Sequence, residues 1–446
     1  MFIQLKYSTF AGIKQKTMDD YRKRIIDNIL KDELDAMGAV VLEGPKACGK
    51  TTSAQQASGS VIYMDDPLRR TQYLQMVDTD MNYILPGATP RLIDEWQIAP
   101  KIWDAVRFEV DHRRKDGQFI LTGSAVPPKE DKELMKHSGT GRFSWLRMRP
   151  MSLWESSDSS GDVSLSSLFK QSDDTPIRGQ NRLALYDIAF IMCRGGWPKA
   201  VDKGMNKTAL RQAINYYEAI VRIDISRVDD VERDEHRTRR IMRSYARHQG
   251  TQVSAKTILD DIAENDTVEL SDKTVYSYIN ALKSIFVIED MPAWNPNLRS
   301  KSAIRSSDTR YYSDPSIACA ALGLGPDDLI NDLNTFGLLF ECLCVRDLRV
   351  YTQALDGTVY HFRDKTGLEC DAVVHLRNGS YGLVEIKLGG DKLIDEGAKS
   401  LLTLKSRIDT TKMKAPSFMM VLTAVGDYAY RRTDGVLVVP VGTLKD

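Results

Sequence analysis

Short apolar runs recur through the first third of the chain, each closed by glycine or a polar residue and separated by stretches of helical pattern. Residues 39–44, 61–65, 91–95, 119–124 and 143–148 read as strands, and their alternation with helices predicts a parallel sheet with helices on its faces. In such sheets ligands collect at the carboxyl ends of the strands. Residues 155–162, rich in Ser, Asp and Gly, read as a solvated loop near a domain boundary.

From 183 to 227 the pattern turns helical, broken by Gly195-Gly196-Trp197-Pro198. Residues 253–264 and 271–282 then read as two short helices, with Ser271 as N-cap of the second, and 287–290 as a short strand where a wing would lie. A helix over 336–349 opens the last part, followed by strands at 359–364, 369–376 and 381–388. Asn378-Gly379 joins the last two as a tight hairpin. A helix over 393–408 and a strand over 417–424 complete an α/β reading. The expected organisation is a P-loop domain at 18–155, a linker at 156–182, a helical connector at 183–235, a winged-helix module at 236–315 and a last α/β domain at 334–446.

The chain has 446 residues, enough for about three domains. Its 61 basic and 61 acidic residues cancel, so any electrostatic footprint for nucleic acid or membrane must be local. Cys48, Cys193, Cys319, Cys342, Cys344 and Cys370 are scattered, as are the six histidines, which suggests neither a zinc site nor a disulfide framework. No run reaches membrane-spanning length and the first residues lack a signal pattern. A reducing cytoplasm is the expected compartment. Residues 1–17 carry no motif, leaving Met1 and Met18 both open as the start.

Chemistry concentrates first in Gly44-Pro45-Lys46-Ala47-Cys48-Gly49-Lys50-Thr51-Thr52, which fits GxxxxGK[ST] between a strand and a helix. Backbone N–H groups of such a loop surround a polyphosphate, Lys50 reaches the β and γ phosphates, and Thr51 offers a hydroxyl to Mg²⁺. Asp94 and Glu95 end a later strand. Asp94 is expected in the Mg²⁺ shell and Glu95 beside the attacking water, while Ser124, with Thr122 behind it, is placed to sense the γ-phosphate. ATP and Mg²⁺ are the implied ligands.

A second constellation lies in the predicted hairpin. Glu385 and Lys387 share a strand face, and Asp371 on the paired strand brings another carboxylate to the same spot, a hard-oxygen pair suited to Mg²⁺ or Mn²⁺. Glu341 on the preceding helix is a third acid, and Glu369 a possible auxiliary ligand. Helix with Glu, strand with Asp, strand with Glu-x-Lys, helix and strand together resemble the PD-(D/E)xK nuclease fold over roughly the last hundred residues. That resemblance implies metal-dependent phosphodiester cleavage by Glu341, Asp371, Glu385 and Lys387. An inactive relative of that fold, or merely polar strand ends, remains open.

Residues 236–248 hold five arginines and no acid. Arg239, Arg243 and Arg247 share one helical face and suit phosphate contacts, with Lys273, Thr274 and Ser277 on the following helix aimed at bases. The alternative is a module packed between its neighbours with its arginines paired to acids. Residues 299–305 form a second basic stretch, read as a mobile loop.

Taken together, the loop at 44–52, Asp94-Glu95, Ser124, Gly139-Thr140-Gly141-Arg142 and Gly195-Gly196-Trp197-Pro198 resemble a prokaryotic family of AAA-type ATPases. Their C-terminal half is a domain of unknown function with winged-helix and restriction-endonuclease-like parts. The resemblance implies that Arg142 is an arginine finger or phosphate sensor and that Arg24 and Ile25 lie near the base. It leads to an ATPase coupled to a DNA-acting, Mg²⁺-dependent nuclease domain. The rival reading is a nucleotide-operated switch that binds a protein or DNA partner through an inactive nuclease fold; a third, a ring-forming motor, would require an oligomer.

Overall fold

The computed structural model describes residues 21–127, 135–170, 175–229, 231–263, 271–299 and 304–446. Met1, Met18, Glu264 and most of the second basic stretch lie outside them. Five strands, β1 (Ala39–Glu43), β2 (Ser60–Tyr63), β3 (Arg91–Asp94), β4 (Phe119–Gly123) and β5 (Phe143–Arg147), form the expected parallel sheet in the order β2-β3-β4-β1-β5. Period-two alternation explains why β1 is apolar from Ala39 to Leu42. Val40 and Leu42 enter one core while Ala39 and Val41 enter another, so both faces are covered by packed side chains.

The serine-rich stretch is only partly solvated. Glu155, Ser156 and Ser159 are buried. Ser159 Oγ donates to the Leu444 carbonyl at 2.7 Å, and Asp158 accepts from Arg194 at 2.6 Å. Short polar side chains satisfy a tight turn from within, so composition alone misread its exposure. Beyond it, β6 (Val163–Ser164) and β7 (Gly179–Gln180) are drawn into the far end of the chain, β6 pairing with β14 (Leu444–Lys445).

β7 is the edge of a seven-stranded sheet that also contains β8 (Gly357–Arg363), β9 (Glu369–Leu376), β10 (Tyr381–Lys387), β11 (Phe418–Thr423), β12 (Tyr428–Arg431) and β13 (Leu437–Pro440). The order is β7-β12-β13-β11-β10-β9-β8. The hairpin of β9 and β10 is antiparallel, with Gly379 in the left-handed region at its turn, while β10 and β11 run parallel.

Between the sheets lie the helices Glu235–Arg247, Ala255–Ala263 and Asp272–Ser284, the last capped by Ser271, which accepts from the Thr274 N–H. The segment expected as a strand at 287–290 makes only single bridges, Ile288 to Tyr312 and Met291 to Thr309. Pro292 and Pro296 remove donors there, and the chain leaves to dock on the last domain, Trp294 N–H donating to the His361 carbonyl at 2.6 Å. The basic stretch follows it: Arg299 N–H bonds the Arg407 carbonyl and Arg305 N–H the Arg363 carbonyl, so its described ends are anchored. One continuous apolar cluster runs from Leu30 in the first domain through Ile279 and Phe340 to Leu444.

Candidate active site

The loop after β1 owes its shape to glycine. Gly44 has φ +154°, and a Cβ there would sit 2.1 Å from the Met148 carbonyl oxygen; Gly49, at φ +107°, caps the helix Lys50–Ala57. Lys50 is buried and its Nζ donates to the Gly44 and Pro45 carbonyls, both at 2.9 Å. That posture keeps the ammonium within the loop, where a phosphate would exchange for the carbonyls. Cys48 is buried, Lys46 pairs with Asp224 of the helical connector at 2.5 Å, and Thr52 is exposed.

The strand ends close the site. Asp94 Oδ1 accepts from Thr51 Oγ1 at 2.8 Å and from Thr122 Oγ1 at 2.5 Å. Burial holds the Asp94 carboxyl above its ordinary range against those two donors, and the charges of Glu95 and Asp65 push the same way. A hydroxyl and a carboxylate, both hard oxygens, fit a Mg²⁺ shell, and adding a dication would lower the carboxyl. Glu95 follows in the left-handed region at φ +53°, ψ +46°, a conformation that costs a non-glycine residue on the order of 1–3 kcal/mol. Its Oε2 accepts from Ser124 Oγ at 2.8 Å and from the Gln97 amide. Ser124 is therefore beside Glu95, as expected of a residue at this strand end.

Arg24 is not free for a base. It is buried, donates to the Cys48 carbonyl at 2.8 Å and to the Arg149 carbonyl at 2.8 Å, and pairs with buried Glu155 at 3.0 Å. It braces the phosphate loop from behind. Ile25 donates its backbone N–H to the same Glu155. Arg142 lies away from this loop. Its carbonyl accepts from Ala39 N–H at the start of β1, and its guanidinium pairs with Asp111 at 2.8 Å. In a parallel sheet that is the opposite end from the loop, roughly 13 Å of strand away, so Arg142 cannot serve its own chain's site.

The second constellation is assembled too. Lys387 Nζ lies 2.7 Å from Glu385 Oε2 and 3.2 Å from Asp371 Oδ2, and Asp371 also accepts from the Ile386 N–H at 2.7 Å. Glu341, on the helix Leu333–Gln353, accepts from the Tyr311 hydroxyl, and the Gly250 turn lies against it. Burial first, then the Asp371 charge, raises both the Glu341 and Glu385 carboxyls; although burial opposes it, the Asp371 and Glu385 charges hold the Lys387 ammonium charged. Buried Glu385 Oε1 has no hydrogen-bond partner among the described residues, an acceptor that a cation or water would satisfy. No three His, Cys, Asp or Glu side chains among the described residues converge as a metal cluster, and the Lys387 ammonium contacts both Asp371 and Glu385. Glu369 instead faces Arg363 at 3.4 Å.

The basic helix is only partly available. Arg239 is clamped by both Glu218 oxygens at 2.6 and 2.7 Å, Arg247 approaches Asp261 at 3.8 Å, and Arg243 is exposed. On the next helix Lys273 is exposed, Thr274 contacts Ser271, and Ser277 accepts from Arg233 at 3.2 Å. Arg239 and Ser277 thus serve internal contacts, and the expectation of a solvent-facing arginine stripe fails at Arg239.

Two buried connections escaped the sequence. Glu155, Arg24's partner, accepts from Ser152 N–H, and the next residue's N–H, that of Leu153, bonds Asp347 on the Glu341 helix at 2.9 Å. Glu289 pairs with Arg149 at 2.7 Å and approaches Arg349 of that helix at 3.7 Å. Neither pairing has a local sequence signal, since the partners lie far apart in the chain.

With this geometry in view, residues 37–157 match the AAA domain family, residues 185–328 a domain of unknown function (DUF8612), and residues 336–444 another (DUF4143). The first domain is an AAA-type P-loop ATPase domain. A solved structure, the Walker-type ATPase PABY2304 of Pyrococcus abyssi, aligns over 68% of this chain and 97% of its own at 12% identity and a TM-score of 0.42. No curated protein matches the chain. Among the described residues no helix is long and apolar enough to cross a membrane.

Proposed function

We propose that the chain hydrolyses ATP at the loop 44–52 and couples nucleotide state to a DNA-acting C-terminal domain of restriction-endonuclease type. The observation that carries the ATPase part is Asp94, bonded to Thr51 of the loop and flanked by Glu95 at the carboxyl end of a parallel sheet. Thr51 and Asp94 would hold Mg²⁺, which supplies charge neutralisation on the phosphates. Lys50 binds the phosphates, and Glu95 orients the attacking water and takes its proton.

For the C-terminal domain the supporting observation is that Glu341, Asp371, Glu385 and Lys387 share one corner. Asp371 and Glu385 would hold Mg²⁺ or Mn²⁺, with the orphaned Glu385 Oε1 as the acceptor that fits it. The three helices at 235–284 with the bridged segment after them support a winged-helix reading, in which Arg243 and Arg247 remain the candidates for DNA phosphate contact and Lys273 for the bases. Coupling is supported by the buried chain of Cys48 carbonyl, Arg24, Glu155 and Asp347. The Lys387 ammonium between the two acids favours a second reading, in which the domain is an inert docking surface operated by the ATPase.

Lys50→Ala should abolish nucleotide binding measured by calorimetry, and Glu95→Gln should bind ATP but hydrolyse it at least a hundredfold more slowly. Retained ATP binding in Lys50→Ala would sink the site.

A further inference from the structure

Gln97 follows the acid pair in the one-turn segment Trp96–Ile98, and no motif drew attention to it. Its amide nitrogen donates to Glu95 Oε2. A carboxylate only accepts, so this contact fixes which end of the amide is nitrogen and turns the carbonyl oxygen away from Glu95. That oxygen, Gln97 Oε1, is buried and has no hydrogen-bond partner among the described residues. A buried acceptor left without a donor is uncommon in native proteins and asks for a ligand or a water. Gly123 at the end of β4 packs against it: a Cβ there would meet Gln97 Oε1 at 3.0 Å and the Trp96 indole nitrogen at 3.2 Å.

The Glu95 carboxylate is arranged in the same sense. Both of its donors, Gln97 and Ser124, converge on Oε2, and none of the described residues donates to Oε1. Two acceptors, Glu95 Oε1 and Gln97 Oε1, are thereby left by neighbouring residues at the strand end that also holds Asp94 and Ser124. A water molecule has two protons to give.

We propose that Gln97 is a positioning residue for the attacking water, fixing Glu95 with its amide nitrogen and accepting one water proton in a hydrogen bond at Oε1. This rests on the reading of Glu95 as the group that activates that water. In the step, the water oxygen forms a bond to the γ-phosphorus while the bond from that phosphorus to the bridging oxygen breaks, its electron pair leaving with ADP. One water proton passes to Glu95 and then to solvent, and the other stays on the released phosphate. Gln97 neither gains nor loses a proton; it restricts the water's orientation.

The test is steady-state ATP hydrolysis by the full chain, with binding of a non-hydrolysable ATP analogue measured alongside. Gln97→Met, of similar length and without donor or acceptor, should lower kcat roughly tenfold to a hundredfold while KM stays within about twofold. Gln97→Glu, which keeps the volume but when ionised has no proton to donate to Glu95, should lose at least as much. An unchanged kcat in Gln97→Met would overturn the assignment, as would loss of analogue binding together with activity in both variants, since that marks a structural role. Undiminished hydrolysis by Glu95→Gln would instead overturn the reading of Glu95, independently of Gln97.

Discussion

At the end of β3, Asp94 and Glu95 are met by two threonine hydroxyls, a serine hydroxyl and an amide. At the corner of β9 and β10, three carboxylates have one lysine, one tyrosine and a backbone N–H among them. Both corners gather acids, yet they differ in the donors that meet them. Neutral donors at the first can yield to a cation and phosphate with little rearrangement. At the second, burial pushes up the Glu341 and Glu385 carboxyls, and Tyr311 and the Gly250 turn of the helix module pack against Glu341. Between the two, Arg24 and Glu155 behind the phosphate loop are followed by the Leu153 N–H bond to Asp347 on the helix that carries Glu341, the route any proposed coupling would take.

The largest test of this comparison is the brace between the two. Arg24→Ala leaves Glu155 buried without its cation, and breaking such a pair costs about 3–5 kcal/mol. Urea unfolding should register that loss, and ATP affinity should fall with it because the Cys48 carbonyl loses its donor. Unaltered stability would mean that the brace contributes nothing.

A smaller effect reports the burial of the second corner. Glu341 has a raised carboxyl, so its contribution to stability is full below the ordinary carboxyl range and is lost as pH rises through the folded value. Glu341→Gln should therefore stabilise the chain at pH 8, by on the order of 1 kcal/mol or more, and do little at pH 5. Equal effects at the two pH values would contradict the burial argument. The smallest expected effect is at Arg142: Arg142→Ala should leave kcat and KM for ATP within about twofold, since the side chain lies at the far end of β1. A hundredfold loss would return it to the site, supplied by a second copy of the chain.

Local patterns made much of this legible. The glycine-lysine-threonine loop, the strand ending in Asp94-Glu95 and the Asn-Gly hairpin carry their chemistry in adjacent residues, so period and motif sufficed to find them. Arg142 immediately precedes a strand expected to run parallel to β1, so its place at the amino end was legible, and the pairing of β5 with β1 puts it there. The stretch at 155–162 looked solvated because Ser and Asp usually are, and here they bond inward. Arg239 looked free because Glu218, its partner, lies on a different helix. The Gln97 carbonyl was invisible for a related reason, since an unpartnered oxygen is a property of packing and not of composition.

The central claim is that the acid corner acts on DNA under the control of the ATP site. It is tested most directly by incubating linear, circular and single-stranded DNA with Mg²⁺ or Mn²⁺, with and without ATP, using the wild type, Asp371→Ala and Glu95→Gln. The account predicts metal-dependent cleavage by the wild type that is lost in Asp371→Ala and altered in its ATP response by Glu95→Gln. Intact DNA in every reaction, with ATP still hydrolysed, would contradict it and leave the C-terminal domain as a docking surface.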